Sequence, residues 1–225
     1  MFAVFWGSLV SSFTNGELIN LDDPSLIQAN QSIYLKTEDQ IAYEQAAANP
    51  NAGKQKAMAC VACHGIKGNS VNPIWPKLAG QSAYYITSQL KYFKSGARTA
   101  PLMNGLAASL SDQDILDVAS YFSKQKVKPE IFSGDDISLK LAEKLYKGGD
   151  LERQIPACSG CHGPDGSGND LAAYPRISGQ HAEYLIQQLR NYKTAKRKNP
   201  IMNTIASRLQ DSEIILIANY IQALY

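Results

Sequence analysis

The sequence predicts an all-α protein made of two homologous domains in tandem. Three observations carry that reading. A repeat keeps one register for over sixty residues, apolar positions recur at helical intervals in both copies, and no strong alternating pattern of the kind a strand needs is present. The repeat comes first. At an offset of 98, Cys60, Cys63 and His64 fall on Cys158, Cys161 and His162, and after a one-residue insertion the offset becomes 99. "PKLAGQ" at 76–81 then meets "PRISGQ" at 175–180. Tyr85 meets Tyr184, Gln89 meets Gln188, Arg98 meets Arg197, and Met103-Asn104 meets Met202-Asn203.

The helices follow from periodicity. Ile86, Leu90 and Phe93 are spaced i, i+4, i+7, and Leu185, Leu189 and Tyr192 copy them. Ile115, Val118, Ala119 and Phe122 form a second apolar stripe, copied by Ile214, Ile217, Ala218 and Ile221. Ser111 opens an S-x-x-D capping pattern ahead of the first of these stripes. "KVKPEIFSGDD", with its Pro, Gly and acids, reads as a linker, and "ISLKLAEKLYKGG" reads as a helix that opens the second copy and stops at a glycine pair. These signals divide the chain into an N-terminal extension at 1–50, a first domain at 51–126, a linker at 127–136 and a second domain at 137–225.

Charge and composition narrow the function. Apolar residues make up 44%, enough for a packed core, and the net charge of +2 argues against a generic nucleic-acid binder. That total hides a split. One Lys against six acids gives −5 over 1–51, nine bases against three acids give +6 over 52–126, and eleven bases against eight acids give +3 over 137–225. "MFAVFWGSLVSSF" has the length of a signal-peptide core, but the first basic residue is Lys36. It reads as the remnant of an export signal or, equally, as a loosely ordered tail; 13 residues are too few to span a bilayer.

All four cysteines lie in the two Cys-x-x-Cys-His motifs, as do two of the three histidines. Three chemistries compete for such a motif. Two thiols three residues apart can add to the vinyl groups of one porphyrin, with the adjacent imidazole as proximal iron ligand. A structural zinc site wants four N or S ligands, whereas each motif offers three and only His181 could complete one site. Disulfide exchange usually places the motif near a βαβ pattern, which is missing here. The immediate His, present both times, has a purpose only in the haem reading.

A haem iron that only shuttles electrons needs a sixth ligand. Met103 lies 39 residues after His64 and Met202 lies 40 after His162, each two positions beyond a Pro. A lone buried Met is usually core filling, but two at equivalent positions beside equivalent motifs point to axial thioethers. Met58 reads as helix packing. A ligating His usually donates its other N–H to a fixed acceptor, and the carbonyls of Pro76 and Pro175 are the candidates. Arg98 and Arg197 are read either as partners of haem propionates or as solvated charges. Tyr85, Tyr184, Tyr121 and Tyr220 are expected to wall the porphyrins with their rings. His181, whose counterpart is Ser82, is read as a surface or inter-domain hydrogen-bonding group. "KTAKRKNP" offers Lys196, Arg197 and Lys198 as a contact for an acidic partner, or as a solvated loop.

Taken together, CxxCHG, then aromatic-Pro-Lys/Arg-Leu/Ile-Ala/Ser-Gly-Gln, then Gln-Leu and Pro-x-Met-Asn, twice over residues 50–225, resemble the dihaem cytochrome c4 family. The resemblance implies two cytochrome c-like domains related by a pseudo-twofold axis, carrying two covalent haem c groups. Cys60, Cys63, His64 and Met103 carry over to the first haem, Cys158, Cys161, His162 and Met202 to the second, and Pro76 and Pro175 to the prolines that orient the proximal histidines. It also implies an exported, periplasmic electron carrier, sometimes tethered to the membrane, that is not an enzyme. Its partners would be redox proteins, a quinol-oxidising complex and a terminal oxidase of a respiratory chain, with no nucleic acid and no small-molecule substrate. The rival readings are a dihaem subunit that accepts electrons from a flavoprotein dehydrogenase, and a dihaem peroxidase.

Overall fold

Each half of the chain builds the same arrangement of helices around its own apolar centre. The computed structural model describes residues 46–224, together with two two-residue strands, β1 (Phe13–Thr14) and β2 (Glu17–Leu18). Compactness divides the chain into Met1–Ile41 and Ala42–Tyr225. In the first unit the described part is the antiparallel pair, Phe13 opposite Leu18 and Thr14 opposite Glu17. The expected export signal falls for the most part outside the described residues.

The second unit is helical, with two isolated bridges, Asp150 to Ile155 and Asn169 to Tyr174. Its first half holds α1 (Pro50–Lys56), a 3₁₀ turn (Ala57–Ala59), α2 (Val61–His64), α3 (Ala83–Ser95), α4 (Pro101–Ala108) and α5 (Asp112–Ser123). Its second half holds α6 (Asp136–Gly148), α7 (Ser159–His162), α8 (Ala182–Lys193), α9 (Pro200–Arg208) and α10 (Asp211–Ala223).

The starts of these helices are written in the sequence. Asn49 caps α1, its side chain accepting from the N–H groups of Asn51 and Ala52, and Pro50 takes the first helical position, where no N–H is needed. Ser111 and Asp114 form the capping box of α5, each side chain accepting from the other's N–H at 3.1 Å. Pro101 and Pro200 open α4 and α9.

Packing repeats as well. In each half the first helix lies across the last, α1 on α5 and α6 on α10. Gly53 makes the α1 crossing close, since a Cβ there would stand 1.9 Å from the Asp117 carbonyl oxygen. In the second half Ala142, fully buried, faces α10. The stripe Ile115, Val118, Ala119 and Phe122 is no more than 2% exposed, and Ile214, Ile217, Ala218 and Ile221 no more than 4%. Each large side chain buried in this way contributes about 1.5–3 kcal/mol. The two stripes belong to two separate cores, one per half.

Between α5 and α6 the chain is stitched to both halves. Lys128 N–H donates to Asn69 in the first half, and Glu130 N–H donates to the Gln222 carbonyl in the second. The Glu130 carboxylate receives the buried Lys77 ammonium at 2.8 Å and His181 Nδ1 at 2.9 Å.

The halves meet through reciprocal contacts, which is the mark of a pseudo-twofold axis. Gln81 brackets the peptide groups of Arg176, and Gln180 those of Lys77. Arg98 reaches Tyr184 and Gln188, and Arg197 reaches Tyr85 and Gln89. In every case residue i touches residue j+99 while i+99 touches j. His181 breaks the symmetry: it is 3% exposed and bonds Ser70 across the interface.

Candidate haem sites

A single helical turn arranges each motif. Cys60 caps α2 and Cys63 lies three residues on, so the two thiols share one side of the turn, and His64 closes it. Cys158, Cys161 and His162 repeat this on α7. All four cysteines are free thiols of intermediate exposure.

Both histidines are fixed through one ring nitrogen. His64 Nδ1 donates to the Pro76 carbonyl at 2.8 Å, and His162 Nδ1 donates to the Pro175 carbonyl at 2.9 Å. That bond selects the tautomer whose Nε2 carries a lone pair. Burial pushes both imidazoles below the ordinary histidine pKa, outweighing the opposite pull of the proline carbonyls, so each ring is neutral at pH 7. A neutral imidazole is the form that binds metal.

Burial keeps the first cysteine of each motif protonated. Burial, with help from the Cys63 charge, raises the Cys60 pKa, and burial raises Cys158 to about 11. Disulfide exchange at neutral pH works through a thiol of depressed pKa. Among the described residues no group of three or more His, Cys, Asp and Glu side chains converges as a metal site. His181, the spare ligand for zinc, is occupied at both nitrogens, by Glu130 and by Ser70. Paired protonated thiols beside a neutral, oriented imidazole fit a covalently attached haem.

Met103 and Met202 are the third residues of α4 and α9, both half-buried. Met103 and Cys60 pack against the same core cluster; Cys158 packs against the second core, and Met202 lies outside it. The segment before each Met is pinned by the Asn that follows it. Asn104 Nδ2 donates to the carbonyls of Phe93 and Arg98, and its Oδ1 accepts from Ala100 N–H. Asn203 makes the equivalent bonds to Tyr192, Arg197 and Asn199. The repeat Met-Asn signalled these asparagines, but the reading of the sequence gave them no role.

Several expectations are refined. Arg197 is buried and Arg98 half-buried, so neither is a freely solvated charge. Each lies over an aromatic ring, Phe93 at 4.6 Å and Tyr192 at 4.7 Å, and each donates to Tyr and Gln side chains of the other half. Arg197 is 7% exposed, so the basic patch shrinks to Lys196 and Lys198. Tyr85 and Tyr184 serve this cluster through their hydroxyls. Burial alone would push the Tyr184 hydroxyl pKa up, but the Arg98 and Arg197 charges more than reverse it. Tyr121 uses its hydroxyl too, donating to the Ile66 carbonyl. Met58 is exposed rather than packed in a helix.

The cytochrome c family model matches residues 50–126 and 142–225. Cytochrome c4 from Azotobacter vinelandii is 43% identical, the match covering 80% of this chain and 91% of that protein. The chain belongs to the cytochrome c4 family. The crystal structure of reduced recombinant cytochrome c4 from Pseudomonas stutzeri superposes with a TM-score of 0.75 at 41% identity, covering 79% of this chain and all of that one. A thiosulfate dehydrogenase electron acceptor from Stutzerimonas stutzeri is 37% identical over 79% of this chain and 82% of its own. As a member of the cytochrome c4 family, the protein carries two covalently attached c-type haems and works as an electron carrier, not as an enzyme.

Proposed function

We propose that Cys60 and Cys63 would hold one haem covalently while His64 and Met103 would ligate its iron, and that Cys158, Cys161, His162 and Met202 would do the same for the second. The two haem domains occupy 51–126 and 137–225, joined by the linker 127–136. A bound haem supplies a one-electron iron couple whose potential is raised by thioether ligation. The protein's own residues supply the rest. Pro76 and Pro175 hold the imidazoles in one tautomer, Asn104 and Asn203 fix the methionine segments, and the paired guanidiniums put positive charge between the halves. Iron held by both a His and a Met of the chain would leave no site for exogenous ligands, which would separate this carrier from a dihaem peroxidase.

The reading extends to an exported, periplasmic protein that takes electrons from a quinol-oxidising complex and passes them to a terminal oxidase. Among the described residues no helix is long and apolar enough to cross a membrane. The observation that supports the assignment best is the equivalence of the two halves, in which a His bonded to a proline carbonyl is matched by a Met at the start of a proline-opened helix. Stopped-flow mixing of the reduced protein with oxidase-containing membranes tests it. Rapid oxidation of both haems is expected, and failure to oxidise would overturn the acceptor assignment.

A second reading has its own support. Relatives named as electron acceptors of thiosulfate dehydrogenase suggest a dehydrogenase as donor. Reduction of the oxidised protein by such an enzyme and thiosulfate, and not by quinol, would favour it over the first.

A further inference from the structure

We propose that Gln180 and Gln81 are positioning residues that act across the domain interface, each on the iron-ligating histidine of the opposite half. The inference rests on His64 and His162 being ligands, and it is carried by one shared peptide group in each half.

The Pro76 carbonyl that accepts from His64 Nδ1 belongs to the same planar amide as the Lys77 N–H. That N–H donates to Gln180 Oε1 at 2.8 Å, and Gln180 Nε2 donates to the Lys77 carbonyl at 2.9 Å. Gln180 therefore grips the backbone on both sides of Lys77 and holds the amide whose oxygen holds His64. The mirror arrangement is complete. His162 Nδ1 donates to the Pro175 carbonyl, and the Arg176 N–H of that amide donates to Gln81 Oε1 at 3.0 Å. Gln81 Nε2 donates to the Arg176 carbonyl at 2.8 Å.

Both glutamines are 8% exposed, so an amide without these partners would be costly. Their aim is fixed from their own side as well. Gln81 Oε1 also accepts from Ser82 N–H, and Gln180 Oε1 from His181 N–H. Accepting a hydrogen bond at the N–H end of an amide drives charge toward its oxygen, because linked hydrogen bonds polarise one another. A more negative proline oxygen draws harder on Nδ1–H and makes the imidazole a more basic ligand. A more basic ligand favours ferric over ferrous iron. Each half thus lowers the potential of the haem in the other half through this shared peptide.

The test is a crossed pattern. Gln180→Met and Gln81→Met remove the acceptor at similar volume, and Gln180→Glu keeps an acceptor oxygen in place. Potentials of the two haems are measured separately, with domain assignment by NMR, alongside the Nδ1–H resonances of His64 and His162. Gln180→Met is expected to shift the reduction equilibrium of the His64 haem toward ferrous by roughly threefold to tenfold, tenfold being about 59 mV for one electron. It should also move the His64 Nδ1–H resonance and leave the His162 haem in place. Gln81→Met should do the converse, and Gln180→Glu should keep the His64 haem at or below its starting potential. Shifts confined to the half that carries the substitution, equal shifts in both haems, or no shift in either would overturn the proposal. Haem content and the axial-ligand spectrum of the same samples report on the ligand assignment separately.

Discussion

Replacing Gly168 by Ala drives a methyl group into the amide that holds His162. Gly168 sits at φ +83°, a conformation that costs an L-residue about 1–2 kcal/mol. A Cβ there would stand 2.6 Å from the Arg176 nitrogen, the Pro175 carbonyl carbon and the Tyr174 oxygen, all of them backbone atoms. None can rotate away as a side-chain tip would, so overpacking adds about 1–3 kcal/mol. The sum is a destabilisation of about 2–5 kcal/mol, placed on the Pro175–Arg176 peptide that accepts from His162 and is gripped by Gln81. With a urea m-value of about 2 kcal/mol/M, the midpoint should fall by about 1 M or more. Gly148→Ala is the control: it ends α6, and a Cβ there meets nothing within 4 Å. It should leave the midpoint unchanged or raise it by the equivalent of about 0.4–1 kcal/mol. A Gly168→Ala midpoint indistinguishable from that of the control would refute the reasoning.

Met103→Ala and Met202→Ala should each alter the iron spectrum of one haem and lower one of the two potentials in a redox titration, leaving the other step in place. Neutralising Lys196 and Lys198, both exposed, should slow electron transfer to an acidic partner at low salt, with the difference vanishing at high salt in a stopped-flow series. Acid stability carries a further signature. Asp114 is held at about 2, below its ordinary 3.8, by hydrogen bonds from Lys56 and Ser111. A depressed carboxyl contributes stability that is fully present above pH 3.8 and is lost as pH falls toward 2. Asp114→Asn should therefore flatten the loss of thermal stability between those two pH values and lower the melting temperature at pH 7.

The helical architecture was legible because its signals are local. The stripes of α5 and α10, the Ser111 capping box and the prolines opening α4 and α9 are all contained within a few residues of sequence. What the sequence hid lies between the halves. The repeat shows that Gln81 and Gln180 are equivalent, but nothing in it says that each faces the backbone of the other copy. "KTAKRKNP" reads as a solvated charge run. Arg197 leaves it because Tyr85, Gln89 and Gln188, 112, 108 and 9 residues away, offer oxygens that replace water. His181, read as a surface or inter-domain hydrogen-bonding group, takes the second role, although its partner Ser70, 111 residues away, could not be named from the sequence. Met58, read as helix packing, follows the opposite course: the chain turns as a 3₁₀ helix at Ala57–Ala59 and leaves its side chain outside.

The most direct test of the whole account is a haem count per chain after extraction with acidified organic solvent. Protein made in cells competent for cytochrome maturation should retain two haems, falling to one in Cys60→Ala/Cys63→Ala and to one in Cys158→Ala/Cys161→Ala. Pigment released into the solvent, or a count that does not follow the cysteines, would contradict it.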